Sequence, residues 1–270
     1  MSLHAARIAP ARILSIAGSD SSGGAGIQAD IKTITMLGGY AMTAITAVTA
    51  QDSTGVHAAV VLDPALVAAQ IDACLSDIGV DAIKIGMLGS AAIAEVVAAK
   101  ITERIARAGV PVVFDPVMIA TSGAALADPA TIAAFGRLMA LATLVTPNVH
   151  ELAALGGAEV LAARGITFLA KGGDAPGDMV TDRLHVPGQP VQSWSAPRIA
   201  TRHGHSTTWH GTGCTLSSAI ACMLGEGVPL PAAIEGARGF VRAALEAAPG
   251  FGQGNGPLGH AAVDSAVWRR

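Results

Sequence analysis

The sequence predicts an α/β protein whose mostly parallel sheet carries helices on both faces. Short β-branched runs alternate with alanine-rich segments of helical spacing, and glycine or polar residues punctuate the end of each run. No linker, repeat or shift of composition divides the 270 residues, so a single domain over residues 1–270 is expected, with 1–11 as a flexible N-terminal extension.

Residues 12–17 form a first short buried strand. The stretch Gly18-Ser19-Asp20-Ser21-Ser22-Gly23-Gly24-Ala25-Gly26 follows as a loop, and residues 27–34 have the apolar spacing of a helix. Further buried strands are predicted at 82–87, 112–115, 144–146 and 166–170, separated by helices near 64–78, 90–108 and 129–140. Parallel sheets bind ligands at the carboxyl ends of their strands. That rule collects Gly18, Met87 with Gly89, Asp115-Pro116, Thr146-Pro147-Asn148 and Lys171-Gly172-Gly173 on one rim.

Composition narrows the chemistry. Hydrophobic residues make up 51% and charged residues 14%, which argues against disorder. The net charge of −3 and the lack of any Lys/Arg cluster predict no nucleic-acid or anionic-membrane partner. No apolar run is long enough to cross a bilayer, and the first twelve residues lack a secretory signal, so a cytoplasmic protein acting on small molecules is expected. Three cysteines, Cys74, Cys214 and Cys222, predict reduced thiols.

The motif His210-Gly211-Thr212-Gly213-Cys214-Thr215 stands before the small-residue helical run 216–224. Two glycines there allow a sharp turn that points free N–H groups at one spot, where the helix dipole adds positive potential. The pattern predicts an anion hole. Cys214, in the first helical turn, is expected to be biased toward thiolate by the same field. The N-terminal glycine loop matches neither the P-loop nor the dinucleotide fingerprint. His203, His205 and His210 near Cys214 superficially suggest zinc, but no second cysteine completes the set, and loop histidines are the simpler reading.

Six motifs in order, Ala17-Gly18-Ser19-Asp20 with Ser22 to Asp30, Lys84-Ile85-Gly86-Met87-Leu88, Asp115-Pro116-Val117-Met118, Thr146-Pro147-Asn148, Lys171-Gly172-Gly173 and His210 to Thr215, resemble the hydroxymethylpyrimidine/phosphomethylpyrimidine kinases of the ribokinase-like superfamily. The resemblance runs over residues 12–257. It implies a three-layer α/β/α sandwich, ATP and Mg2+ as cofactors, a homodimer, and a two-step activity in thiamin biosynthesis. ATP would phosphorylate hydroxymethylpyrimidine and then its monophosphate.

The resemblance also distributes roles. Gly211, Thr212 and Gly213 would neutralise charge on the transferring phosphoryl group, and Cys214 would face the acceptor oxygen as base or only shape the pocket. Gly18, Asp30, Gln51, Met87 and Val117 would bind the pyrimidine. For Asp30 a solvated acid at a helix start stays open, and for Met87 plain core packing. Asn148 and Glu151 would hold magnesium near the phosphates or form a helix cap, while Lys171, with Thr212 and Gly213, would meet the nucleotide or stay an exposed strand-end lysine.

Several departures stand out. The segment 201–210 is longer than in the family, Thr121 replaces a common lysine, Asp174 replaces a usual histidine, and 152–165 leaves room for at most a brief helix. Pyridoxal kinase is the nearest rival reading. A non-catalytic vitamer-binding protein and a sugar kinase are the others, the last opposed by Cys214 where such enzymes carry Asp.

Overall fold

Runs without polar residues on either side of the chain have to be buried on both faces, and they become the centre of a single sheet. The computed structural model describes residues 9–105, 108–120, 123, 126–200 and 209–263. Its strands are β1 (Arg12–Asp20), β2 (Tyr40–Gln51), β3 (Val56–Val61), β4 (Ala82–Ile85), β5 (Val112–Phe114), β6 (Leu144–Val145), β7 (Phe168–Ala170), β8 (Met179–His185) and β9 (Gln192–Pro197). They pair in the order β3-β2-β1-β4-β5-β6-β7-β8-β9. From β2 to β7 every pairing is parallel, while β3 at one edge and β8 and β9 at the other run antiparallel.

The helices are α1 (Gly26–Met36), α2 (Pro64–Ala73), α3 (Ala91–Arg104), α4 (Pro129–Leu141), α5 (Val149–Ala154), α6 (Ala158–Ala163), α7 (Thr212–Gly225) and α8 (Leu230–Glu246). Several start where a side chain caps the free N–H groups: Asp63 accepts from Ala65, Ser90 from Ile93 and Asp128 from Thr131. Alternate residues of each strand face opposite layers. Leu14, Ile16, Ile83, Ile85, Phe114 and Phe168 pack with helices α2, α3, α4 and α6. Ile13, Val113, Leu144 and Leu169 pack with α1, α7 and α8. This is the three-layer sandwich.

Some elements differ from the sequence reading. Strand β1 runs on through Gly18 and Ser19 to Asp20, because Ser19 and Asp20 still pair with Val48 and Thr49 of β2 beyond an irregularity at Ala17–Ser19. The helix foreseen at 64–78 stays α-helical only to Ala73 and widens into a π turn, Cys74–Ile78, before Gly79 at φ 76°. The helix foreseen at 90–108 ends at Arg104. Between 152 and 165 the chain forms the end of α5 and all of α6, more than the one brief helix expected. The N-terminal extension must end before Ala11, which is buried and whose carbonyl accepts from Tyr40 N at 2.8 Å. Residues 1–8 of that extension, Thr121, His203, His205 and the rest of 201–208 lie outside the described residues.

One buried carboxylate ties the β8–β9 edge to the helical layer. Asp182 on β8 accepts from Gly172 N at 2.8 Å through one oxygen and from Arg238 Nε on α8 at 2.6 Å through the other. Arg238 Nη2 also donates to the Trp194 carbonyl on β9 at 3.1 Å. Asp182→Ala leaves a mostly buried guanidinium uncompensated, and we expect a loss of about 3–5 kcal/mol in chemical denaturation. Replacing Asp182 and Arg238 together by leucine should recover most of it; equal losses for the single and double variants would contradict this account.

Candidate active site

The carboxyl ends of the parallel strands and the start of α7 enclose a cleft of about 1130 Å³. That is ample for two small substrates, since drug-sized ligands occupy about 300–1,000 Å³. Its floor is built by close backbone approach. Gly211 caps α7 in the left-handed region at φ 86°, and a Cβ there would stand 1.9 Å from the Gly24 carbonyl oxygen. Gly26, at φ 56°, would put a Cβ 2.3 Å from the Gly18 carbonyl oxygen. Only glycine lets the loop after β1 lie directly on the first turn of α7. The first N–H groups of that turn have no partner within the helix, and Gly211 to Cys214 line the cleft.

Two ion pairs flank this cradle. Lys84, in the middle of β4 and fully buried, donates to Asp30 Oδ2 at 2.8 Å and Oδ1 at 3.0 Å. Burial opposes the ammonium, but Asp30, Cys214 and Asp115 outweigh it and the Lys84 pKa is raised. At the end of β7, Lys171 donates to Asp115 Oδ1 at 2.6 Å, and its Nζ lies 3.8 Å from Glu151. Burial again opposes the charge and the carboxylates Asp115 and Glu151 again prevail, raising the Lys171 pKa. A Cβ on Gly213 would lie 3.2 Å from Lys171 Nζ and 3.3 Å from Asp115 Oδ2, so the second charge pair touches the first turn of α7 itself.

Cys214 lines the cleft in that first turn, and the Gly26 N–H donates to its sulfur. The expected bias toward thiolate is not met: burial pushes the Cys214 thiol up to about 11, and Asp30 and Asp115 add to it while Lys84 opposes. Desolvation of sulfur outweighs the helix field. Cys214 rests as a neutral thiol.

Eleven of the twelve predicted site residues line the cleft: Gly18, Gln51, Met87, Val117, Asn148, Glu151, Lys171, Gly211, Thr212, Gly213 and Cys214. Asp30 does not. Its carboxylate is buried below the cleft and saturated by Lys84, Ser15 Oγ at 2.6 Å and Ser218 Oγ at 2.7 Å, so it is neither a ring contact nor a solvated acid. Met87 covers Gly18, where a Cβ would meet Met87 Cε at 2.4 Å. Lys171 is not an exposed strand-end lysine.

Asn148 and Glu151 form a full capping box on α5: Asn148 Oδ1 accepts from Glu151 N and Glu151 Oε2 from Asn148 N, both at 2.8 Å. The cap leaves Glu151 one carboxylate oxygen, in the cleft beside Asp115. Such a donor set fits a cation held with few protein oxygens and completed by water and phosphate.

Lys84, Asp115, Asp20 and His210 were not assigned roles from the sequence, although all line the cleft. A lysine inside the otherwise apolar strand Ala82–Ile85 was the available signal, because a charge buried in a sheet needs a partner. His210 Nε2 lies 2.8 Å from Asp20 Oδ2, so the imidazole is engaged by a carboxylate.

Comparison with known proteins bears on the family and the fold. Residues 20–259 match the family model described as phosphomethylpyrimidine kinase. The hydroxymethylpyrimidine/phosphomethylpyrimidine kinase of Rhizobium meliloti is 45% identical over 264 residues, 92% of this chain and 96% of the relative. The ADP complex of Bacillus subtilis pyridoxal kinase superposes with a TM-score of 0.83 at 33% identity, covering 94% of this chain and 98% of that one. The crystal structure of phosphomethylpyrimidine kinase from Clostridium difficile 630 gives a TM-score of 0.72 at 33% identity, over 86% of this chain and 98% of that one.

Burial, opposed by Lys171 and reinforced by Asp115 and Asp174, pushes the Glu151 carboxyl up to about 7 from an ordinary 4.5. The folded state holds this proton more tightly than the unfolded chain, so the contribution is full below about pH 4.5 and is lost as pH rises through 7. Wild-type protein should therefore lose stability between about pH 5 and pH 8 more steeply than Glu151→Gln, which keeps the cap without the charge. Denaturation midpoints at the two pH values measure the difference, and parallel slopes would refute it.

Proposed function

This chain belongs to the phosphomethylpyrimidine kinase family, and from that premise we propose that it uses ATP to phosphorylate hydroxymethylpyrimidine and then its monophosphate, in thiamin biosynthesis. The observation that carries the reading is the glycine turn at Gly211–Gly213, read as an anion cradle and flanked in one cleft by the fully buried ammonium of Lys84 and the mostly buried one of Lys171. Phosphoryl transfer needs little covalent help from the protein. Positioning, and donors aimed where negative charge accumulates, supply most of the rate.

The roles follow from position along the cleft. The N–H groups of Gly211, Thr212 and Gly213 receive the transferring phosphoryl group, and Lys171 stands at the nucleotide side with Thr212 and Gly213. Magnesium, which neutralises phosphate charge when bound, would be held near Glu151 and Asn148, through the carboxylate oxygen that the cap leaves free. Gly18, Gln51, Met87 and Val117 shape the ring pocket at the carboxyl ends of β1, β2, β4 and β5. Gly211, Gly213 and Cys214 are all present, which opposes a binding-only protein, and Cys214 opposes a sugar kinase.

The reading extends to a single kinase domain that works in the cytoplasm as a homodimer. Three free thiols suit a reducing compartment, and the edge strand β3, with Val60 and Val61 exposed, offers an unpaired surface for a second copy. A second reading, pyridoxal kinase, is favoured by the superposition on the Bacillus subtilis enzyme. A neutral Cys214 thiol disfavours ready addition to an aldehyde.

ADP release with ATP and magnesium, measured in parallel on hydroxymethylpyrimidine, its monophosphate and pyridoxal, tests the assignment. Turnover of both pyrimidines with weak pyridoxal activity is expected; strong pyridoxal turnover without the monophosphate would transfer the assignment to vitamin B6 salvage.

Cys214 should matter for the first transfer more than the second. A hydroxymethyl group has a proton to lose, whereas a phosphate monoester with a second pKa near ~6 is already ionised at neutral pH. Cys214→Ala should slow the first step about a hundredfold and the second by less than about tenfold. With the thiol near 11, the first rate should climb about tenfold per pH unit across the neutral range and the second should stay level. Equal slowing of both steps would leave Cys214 a pocket-shaping role only.

A further inference from the structure

We propose that Asp20 and His210 are positioning residues that turn the Gln51 amide so that it offers an N–H to the cleft, selecting a heteroaromatic ring whose facing nitrogen is an unprotonated acceptor. The inference deepens the kinase reading above and rests on it for the identity of the ring.

Three side chains meet at one imidazole nitrogen. His210 Nε2 lies 2.8 Å from Asp20 Oδ2 and 3.2 Å from Gln51 Nε2. These contacts compete. A bare lone pair on Nε2 would accept from the Gln51 amide but would face the Asp20 carboxylate at repulsive range, while a proton on Nε2 satisfies Asp20 and leaves the amide nitrogen without an acceptor.

Asp20 decides which state holds. Its carboxylate also accepts from Ser22 N at 2.9 Å, Ser22 Oγ at 2.8 Å and Ala25 N at 2.8 Å. Burial alone would raise its pKa, yet the bonds from His210, Ser22 and Ala25 together hold it below the ordinary carboxylate value. Asp20 is therefore an anion that needs a donor from His210, and the ring carries its proton on Nε2.

A half-turn of the amide then satisfies every group, because it exchanges the Gln51 oxygen and nitrogen. The oxygen shares the His210 proton with Asp20. The nitrogen faces Thr49 Oγ1, which lies 3.2 Å from the other end of the amide and donates onward to the Ser19 carbonyl at 3.0 Å. One amide N–H goes to Thr49, and the second is left for the cleft that Asp20, Thr49, Gln51 and His210 all line.

The imidazole cannot drift from this position. A Cβ on Gly24 would strike His210 Cδ2 at 2.3 Å, and His210 N donates to the Gly256 carbonyl at 3.1 Å. Ligand discrimination follows from leaving a donor unpaired: a ring presenting its own N–H toward Gln51 would bury two opposed donors.

The test joins a spectrum to kinetics on the full-length chain. With ¹⁵N-labelled histidine, the His210 ring, assigned by its loss in His210→Gln, should carry its proton on Nε2 in the wild type and shift it to Nδ1 in Asp20→Asn. With hydroxymethylpyrimidine as probe, Asp20→Asn and His210→Gln should each raise KM about tenfold, with kcat held within about threefold and the KM for ATP within about twofold. Gln51→Glu, which keeps the acceptor for His210 and loses the N–H, should raise the pyrimidine KM to a similar extent.

A wild-type proton on Nδ1, an unchanged KM in Gln51→Glu, or matched losses in kcat and in the KM for ATP would each overturn the proposal. If the wild type phosphorylates neither pyrimidine, the kinase reading fails by itself, and the tautomer of His210 still decides the orientation of Gln51.

Discussion

Asp30 accepts four hydrogen bonds where water cannot reach, two from Lys84 on β4 and one each from Ser15 on β1 and Ser218 on α7. Four elements, α1 included, thereby share a single carboxylate under the cleft. Such a pair is weak support for stability, because desolvation of both ions offsets much of their attraction, but it is unforgiving of changes in geometry. An ammonium buried on β4 must find its anion on α1, and the hydroxyl on α7 must complete the anion. The start of α7, and the phosphate cradle proposed there, is thus fixed by an interaction one layer below it.

Above that pair the cleft alternates charge on a short scale. Lys171 sits between Asp115 and Glu151, Asp115 is steadied by Thr146 Oγ1 at 3.0 Å, and the sulfur of Cys214 lies within the field of both lysines and both buried aspartates. Pairing each lysine with carboxylates keeps its buried charge tolerable, and under the proposed kinase reading a phosphate, carrying more charge than a carboxylate, would compete for Lys171. The same low-dielectric setting explains why Cys214 keeps its proton and why Glu151 titrates near 7.

Steric absence does as much as charge. Gly24 against Gly211 lets two loops far apart in sequence share one surface, and Gly26 against the Gly18 carbonyl folds the first of them tightly on itself. A third contact closes the ring end: Asn255 N donates to the Ser53 carbonyl at 2.8 Å, and a Cβ on Gly254 would stand 2.2 Å from that same oxygen. The hairpin between β2 and β3 is thereby held against the chain that follows α8. None of these glycines announces its partner in the sequence, because a missing Cβ shows only that something must come near.

Periodicity and punctuation determined the α/β class, the parallel core, the single rim of strand ends and the glycine-capped start of α7, since those depend on near neighbours along the chain. The strands β2, β3, β8 and β9 escaped notice because alanine and threonine in β2, alanine in β3, charged residues in β8 and serine in β9 weaken the apolar pattern by which a strand is read. Tertiary structure alone decided the charge state of Cys214, the withdrawal of Asp30 from the cleft, the pairing of Lys84 and the meeting of Asp20, Gln51 and His210. Each of those rests on how much water is excluded and on which distant group arrives in its place, and linear order encodes neither.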